Sequence, residues 1–187
     1  MATYTLVPDE TEIPDAGNWS INTASTIHEA IDAVTGGYVH TASTGKDFRV
    51  GFTSTLLAGN ETIDSIQACI TGHTGNTRSA THDVRIDIEN ASNADYFTDT
   101  HTVTVNGGAA ATYCSAAETT SDGSTAWTQG DMDAIRMDGE VTSAAAGHSA
   151  VLYEAYLTVV TTVTVVAVPK VLTVNGVLTI NGNLTIK

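Results

Sequence analysis

The stretch HDVRIDIEN, residues 82–90, decides the fold class of this chain. Three apolar side chains alternate in it with four charged ones: Val84, Ile86 and Ile88 with Asp83, Arg85, Asp87 and Glu89. A period of two residues is that of a β-strand with one face in the core and the other in water. The stretch therefore predicts a strand of a sandwich, with the apolar residues inside.

Comparable runs occur at short intervals on both sides of this strand. They cover residues 37–43, 47–57, 63–71, 101–105, 111–117, 134–143 and 150–160. Threonine, valine and isoleucine are abundant throughout, and β-branched residues fit the pleated surface of a sheet. Short strands at regular spacing, without amphipathic helices between them, predict an all-β, antiparallel, jelly-roll-like β-sandwich.

Two short segments interrupt the strand pattern. In AWTQGDMDAI, residues 126–135, Thr128 stands three residues before Asp131, which predicts a capping box, one helical turn and an edge plug at Trp127. In STIHEAIDAV, residues 25–34, apolar residues recur at helical spacing, Ser25 or Thr26 can act as the N-cap and Gly36 can end the helix. A short helix and a loop both remain open for that second segment.

The charge balance excludes two classes of partner. The formal net charge is −14, with only 7 Lys and Arg residues in 187. A nucleic-acid binder needs cations to displace counterions from phosphates, so neither nucleic acid nor an anionic membrane surface is expected as a partner. The acidity favours solubility. The longest apolar run, VVTTVTVVAV at residues 159–168, is shorter than the roughly 20 residues of a membrane helix.

The N-terminal stretch MATYTLVPDETEIPDAGNW lacks the basic and apolar regions of a secretory signal, so we expect synthesis in the cytoplasm. On that ground the two cysteines, Cys69 and Cys114, are expected to be buried and reduced more readily than joined in a disulfide. Their redox state stays open at this point.

Candidate chemistry is sparse, and no catalytic residue or cofactor is predicted. The histidines at 28, 40, 73, 82, 101 and 148 are scattered. Calcium is an alternative to plain solvation for the carboxylates of GDMDAIRMDGE: Asp131, Asp133, Asp138 and Glu140. An enzyme acting on glycans would need paired carboxylates, and the pairs on offer are Asp83 with Asp87 and Asp131 with Asp133.

Sugar binding would use exposed aromatic rings beside polar groups. The candidate rings are Trp19, Tyr96, Phe97, Tyr153 and Tyr156. Tyr153 and Tyr156 are separated by an odd number of residues in one strand, so only one of them is expected to face the core. Core packing and edge plugs are the favoured interpretation of these rings.

The C-terminus, LTVNGVLTINGNLTIK at residues 172–187, repeats every six residues. If the hexads stack in register, each residue lies on the equivalent residue of the next hexad, and two apolar columns result. One column consists of Leu172, Leu178 and Leu184, and the other of Val174, Ile180 and Ile186. The alternative, a hairpin through the Asn-Gly turns, mixes Leu and Thr on both faces. A β-solenoid needs about three or more repeats. These six residues are therefore predicted to assemble with other copies, most simply as a homotrimer, or to add a strand to another protein.

Three segments follow from these patterns. Residues 1–17 are polar and contain prolines, which predicts an extended arm on a neighbouring subunit or a tail. Residues 18–165 form the sandwich. Residues 166–187 form the assembly segment, which Pro169 separates from the sandwich because proline cannot sit in a central strand.

Six stretches follow one another along about three-quarters of the chain: NWS, DFRVGFT, ETIDSIQA, HDVRIDIEN, WTQGDMDAIRMDGEV and LYEAYLTV. In this order they resemble the jelly-roll-like β-sandwich domains of tailed-bacteriophage virion proteins. The most specific piece is the nine-residue WTQGDMDAI.

The resemblance implies a non-enzymatic virion structural protein on the outside of the particle, a capsid decoration or head-fibre protein docked on the major capsid protein or another virion protein. The alternative is a tail or collar fibre component that binds host-surface glycan.

Overall fold

The computed structural model describes residues 1–13, 19–32, 36–53, 61–74, 80–104 and 109–163. The predicted assembly residues lie outside the described residues: Leu172, Val174, Leu178, Ile180, Leu184 and Ile186. The described residues form the following elements in chain order: β1 (Ala2–Leu6), β2 (Glu10–Ile13), β3 (Ser20–Asn22), α1 (Ile27–Ala30), β4 (Tyr38–Thr41), β5 (Lys46–Gly51), β6 (Glu61–Thr74), β7 (His82–Glu89), β8 (Asp95–Val103), β9 (Ala111–Cys114), α2 (Gln129–Met132), β10 (Arg136–Ser143) and β11 (Ala150–Val163).

Two antiparallel sheets contain these strands. The first, sheet A, has the order β3-β4-β11-β6-β9, and β1 also pairs with β11. The second, sheet B, has the order β2-β5-β10-β7-β8. β4 and β1 pair with different parts of the same edge of β11: β4 pairs with residues 150–152, and β1 pairs with residues 157–161. The predicted all-β, jelly-roll-like antiparallel sandwich is confirmed.

The core lies between the two sheets and is built by alternate residues of their strands. On β7 the side chains of Val84, Ile86 and Ile88 are buried, as the alternation predicts. They belong to one continuous apolar cluster with residues of sheet A such as Ile70 and Leu152. Removing these side chains from water is the main favourable contribution to folding.

Both segments predicted as breaks in the strand pattern contain a capping box. The Thr26 side chain caps α1 by accepting a hydrogen bond from the backbone N–H of Glu29. The helix is only one turn long, and Ile31 is its C-cap. Of the two alternatives left open for residues 25–34, a short helix is present and covers Ile27–Ala30. Thr128 caps the single turn of α2 with Asp131, as predicted. Among the described residues, no helix is long and apolar enough to span a bilayer.

The N-terminal residues are part of the sandwich instead of an arm on a neighbour. β1 pairs with β11 over Ala2–Leu6, and β2 pairs with β5. Leu6 enters the core, and the Tyr4 hydroxyl donates a hydrogen bond of 3.1 Å to Glu61. The polar, proline-containing sequence gave no sign of this, because edge strands are stabilised by the strand they join and need little apolar character of their own.

The expectation of reduced cysteines is wrong in the structure, where Cys69 and Cys114 form a disulfide. They are direct cross-strand partners of β6 and β9, with Cα atoms 4.1 Å apart. That spacing is typical of a non-hydrogen-bonded antiparallel pair, whose side chains lie close together. The pairing depends on strand register, which is not evident from two cysteines separated by 45 residues.

Candidate functional site

Four half-buried aromatic residues gather on the outer face of sheet A. Tyr38 and His40 of β4, Tyr153 of β11 and His73 of β6 are half-buried there and touch one another. We call these four residues the tyrosine–histidine face. His40 and His73 both lie opposite Val151 in the strand register, which places them on the same side of the sheet.

A β-bulge in β11 turns Tyr153 towards this face. Opposite β6 the register moves from Leu152 paired with Gly72 to Glu154 paired with Thr71, so Tyr153 is the extra residue. A bulge re-aims the side chains that flank it, because the alternation of the strand is interrupted.

The bulge corrects the expectation that one of Tyr153 and Tyr156 faces the core. Both are half-buried on the outer side, where Tyr156 is the partner of Cys69 and Tyr153 contacts His73. The core side of the strand is occupied by Leu152, Ala155 and Leu157, which are buried. The parity argument fails because it assumed a regular strand.

The rings form a continuous series. The ring centroids of His40 and Tyr38 are 5.8 Å apart, those of Tyr38 and Tyr153 are 5.6 Å apart, and those of Tyr153 and His73 are 5.3 Å apart. The planes of neighbouring rings are inclined by 46° to 55°. Such distances and tilted orientations are favourable for aromatic pairs.

A hydrogen bond joins the last two rings and fixes their orientation. His73 Nδ1 lies 2.7 Å from the carbonyl oxygen of Thr74, and His73 Nε2 lies 2.7 Å from the Tyr153 hydroxyl. A carbonyl accepts only, so Nδ1 carries a proton, and in the neutral imidazole Nε2 then accepts from Tyr153. Burial, followed by the nearby Tyr38, raises the pKa of Tyr153, and its hydroxyl keeps the proton that it donates.

Tyr38, the second ring of the series, is held by β3. Asn22 Nδ2 donates a hydrogen bond of 2.8 Å to the Tyr38 hydroxyl, and its side-chain oxygen accepts from Thr23. Thr23 has a φ of 69°, in the left-handed region that a β-branched residue rarely adopts. The strained residue fixes the Asn22 amide and, through it, the Tyr38 hydroxyl.

Polar side chains continue the face beyond the rings. The hydroxyl of Thr71 donates a hydrogen bond of 2.9 Å to Glu154, and it lies 3.0 Å from the hydroxyl of Thr112. Because the proton of Thr71 goes to the carboxylate, Thr112 is the donor in the second contact. Rings and oriented hydrogen-bonding groups thus lie side by side on one surface.

The outer face of sheet B has a different character, since it is charged. Arg49 Nη2 lies 3.0 Å from both Glu89 and Asp138. Arg85 contacts Asp87 at 2.7 Å and Glu140 at 2.9 Å. Most of these groups are well covered by one another, and removing one partner of such a pair leaves a charge that is poorly solvated.

Burial shifts two of the carboxyl groups in this charged face. It raises the pKa of Asp138 to about 6, although Arg49 opposes the change. It also raises the pKa of Glu89, again against Arg49. The sequence analysis correctly placed the charged residues of β7 outside the core. It expected them to be exposed to solvent, however, whereas Asp87 and Glu89 are buried beneath their neighbours.

Three of the ring residues proposed for sugar binding pack inside or at the edges of the sandwich. Trp19 is buried, donates to the Lys46 carbonyl at 3.1 Å and meets Phe48 edge-on. Tyr96 and Phe97 are half-buried against Trp127. Tyr96 also donates a hydrogen bond of 2.9 Å to Asp131, and burial followed by this bond raises its pKa to about 12.

The carboxylates considered for calcium are dispersed. Asp131 accepts hydrogen bonds from Thr128 and Tyr96, and Asp133 accepts one from Gln129. Asp138 forms an ion pair with Arg49, and Glu140 forms one with Arg85. Within the part of the chain that the structure describes, no group of three or more His, Cys, Asp or Glu side chains is placed to hold a metal.

The carboxylate pairs considered for an enzyme also have separate partners. Asp83 accepts from Thr102 at 2.7 Å, and Asp87 accepts from Arg85. Both lie on the same face of β7, four residues apart in one strand, and do not face each other across a groove.

Sequence reasoning missed Tyr38, His40 and His73 as members of one surface. A signal was present in GYVHTAS, where Tyr38 and His40 alternate with the buried Val39 and therefore share a face. Their meeting with His73 depends on the order β4-β11-β6, which joins parts of the chain about 30 or more residues apart.

No family model matches the chain, and no curated protein matches it either. Solved structures similar to it include the arabinose-bound α-L-arabinofuranosidase MgGH51, at 9% identity and a TM-score of 0.44, covering 83% of this chain and 26% of that one. This chain thus corresponds to about a quarter of that enzyme's length.

Two smaller structures are also similar. The CBM36-1 domain of a multidomain xylanase from the hindgut metagenome of Trinervitermes trinervoides has 13% identity and a TM-score of 0.35, covering 76% of this chain and 96% of that one. A CBM4 structure has 10% identity and a TM-score of 0.35, covering 83% of this chain and 94% of that one. Similarities at these scores assign no function to this chain.

Proposed function

We propose that this protein is a non-enzymatic structural protein on the exterior of a bacteriophage particle, a capsid decoration or head-fibre protein. Its partners are further copies of itself, most simply in a trimer, and the major capsid protein or another virion protein. Nucleic acid and anionic membrane surfaces are not partners, because the net charge of −14 repels both.

The observation that carries this proposal is the architecture of the segment WTQGDMDAI, on which the resemblance to phage virion domains depends most. Trp127 is buried and donates its indole N–H to the Glu118 carbonyl at 2.9 Å. Thr128 and Asp131 form the capping box, and Met132 and Ile135 enter the core. The residues that make the segment distinctive therefore close the end of a sandwich, which is what a structural module requires of them.

The disulfide adds support from a different direction. Disulfides persist in oxidising surroundings and are rare in the reducing cytoplasm. A protein on the outside of a released particle works in such surroundings, and the Cys69–Cys114 bond clamps the edge strand β9 to β6.

The test is to find the protein on particles of the phage that encodes it. We would raise antibodies against the sandwich, purify particles on a density gradient and label them with gold conjugates for electron microscopy. The proposal expects the protein in the particle fraction and gold on the outer surface of heads. Protein that remains in the soluble fraction would contradict it, and gold confined to the tail or collar would favour the fibre alternative.

A further inference from the structure

We propose that the tyrosine–histidine face of sheet A is a binding site for a neutral oligosaccharide. This inference goes beyond the structural role proposed above and does not depend on where in a particle the protein lies. It rests on three features of the described residues: the placement of the rings, the orientation of the hydrogen-bonding groups and the distribution of charge.

The rings are concentrated in one half of the outer face. Towards the other end of β11 the same face carries Thr158 and Val160, whose partners on β6 are Gln67 and Ser65. That half has the small and polar side chains usual on a solvated sheet. The aromatic half places four rings next to each other at the surface, although burying the two tyrosine rings in the core would remove more apolar area from water. Half-buried rings in a group are the apolar element of a ligand site.

The hydroxyl groups among the rings are oriented before any ligand arrives. The Tyr153 hydroxyl donates to His73 and keeps its lone pairs for a donor from outside. The Tyr38 hydroxyl accepts from Asn22, so its own proton is directed away from that amide. A hydroxylated ligand thus meets one acceptor and one donor on adjacent rings, and fixed partners reduce the entropy lost on binding.

The distribution of charge selects an uncharged ligand. The four Lys and Arg residues in the described part of the chain lie on sheet B: Lys46, Arg49, Arg85 and Arg136. On the aromatic half of sheet A, Glu154 contributes a carboxylate, which accepts a hydrogen bond from Thr71. Carboxylated and sulfated sugars would meet this carboxylate and a net charge of −14, and none of the described Lys and Arg residues lies on sheet A to pair with them. Neutral sugars offer apolar C–H faces for the rings and hydroxyl groups for the polar side chains.

The experiment begins with the intact chain on a glycan array that carries neutral, carboxylated and sulfated oligosaccharides. The best neutral binder is then titrated calorimetrically into the wild type, Tyr38→Ala, Tyr153→Ala and the control Thr158→Ala. Thr158 lies on the same strand and the same face as Tyr153, outside the ring series. We expect Kd to rise about tenfold or more in each tyrosine variant, the equivalent of losing about 1.4 kcal/mol, and to stay unchanged in the control.

Two further measurements separate loss of binding from loss of the fold. Tyr153→Phe keeps the ring and removes only the hydroxyl, so we expect it to fold and to bind more weakly than the wild type but better than Tyr153→Ala. In the wild type, adding the oligosaccharide is expected to shift the imidazole NMR signals of His73 and to leave those of the buried His82 in place. The proposal is overturned if no neutral glycan binds, if charged glycans bind more tightly, or if Tyr38→Ala and Tyr153→Ala bind like the control.

Discussion

A methyl group placed on Gly72 would lie 2.5 Å from the carbonyl oxygen of Val151 and 2.7 Å from Cδ2 of Leu152. Those two residues immediately precede the bulge of β11, so the glycine allows β6 and β11 to approach closely where the register shifts. The bulge in turn directs Tyr153 to the outer face, beside His73. A single glycine thus helps to set the geometry of the tyrosine–histidine face.

Replacing this glycine is expected to weaken the fold. Gly72→Ala introduces a clash with backbone that cannot move without disturbing the sheet, and overpacking of this kind costs about 1–3 kcal/mol. Urea unfolding followed by circular dichroism would measure the loss. The control is Gly130→Ala in α2, where the added methyl would meet only Thr128 Oγ1 at 3.6 Å. Equal losses of stability in the two variants would contradict the role given to Gly72.

The parts of the fold that follow from local sequence could be predicted. The alternation of residues 82–90 identified β7 and the apolar residues that it directs into the core, because a strand with one face in the core repeats every two residues. The spacing of Thr128 and Asp131 identified the capping box of α2, because both partners lie within one turn.

The parts of the fold that depend on strand register could not be predicted from the sequence. The disulfide, the bulge at Tyr153 and the meeting of Tyr38 with His73 each require knowing which residues of distant strands stand opposite each other. Nothing local to Cys69 or Cys114 reveals their pairing. The inclusion of β1 and β2 was missed for the same reason, since an edge strand is recognised by its partner.

Removing the disulfide is expected to lower stability substantially. The bond joins residues 45 apart in sequence, and a loop of that length restricts the unfolded chain enough to contribute about 2–4 kcal/mol. We expect the double variant Cys69→Ala, Cys114→Ala to unfold at lower urea concentration than the wild type. Treatment with dithiothreitol should destabilise the wild type by a similar amount and leave the double variant unaffected. Sensitivity of the variant to reductant would show that another effect is at work.

The buried Asp138 is expected to make stability fall as pH rises from about 4 to 7. Burial raises its pKa to about 6, above the ordinary value of 3.8, so the folded state binds more protons than the unfolded chain in between. Stability is therefore fully present below the ordinary value and is lost as the pH passes 6. Asp138→Asn should remove this loss. Its free energy of unfolding relative to that of the wild type should therefore increase by about 2 kcal/mol between pH 4 and pH 7. Urea midpoints at both pH values measure the change, and parallel pH profiles would contradict it.

The buried His82 is expected to act in the opposite direction. Among the described residues neither of its ring nitrogens has a hydrogen-bond partner, and burial, followed by His148, lowers its pKa from 6.5. The unfolded chain takes up the proton first as the pH falls through 6.5, so stability is lost on acidification. His82→Leu should stabilise the protein by about 1–3 kcal/mol at pH 8, because it removes unpaired buried polar atoms. The gain should be larger at pH 5, and a variant less stable than the wild type at both pH values would refute this.

The hexads at residues 172–187 are expected to hold copies of the chain together. Leu172, Leu178 and Leu184 are predicted to stack in one column and Val174, Ile180 and Ile186 in another, and hexads of further copies would bury both columns. Light scattering should give a trimer for the intact chain and a monomer for a version that stops before Pro169. In the full chain, Leu178→Gln should weaken the trimer, whereas Thr179→Gln on the opposite face should not. A monomer both with and without the tail would eliminate the trimer, and the tail would then have to pair with another protein or with its own sandwich.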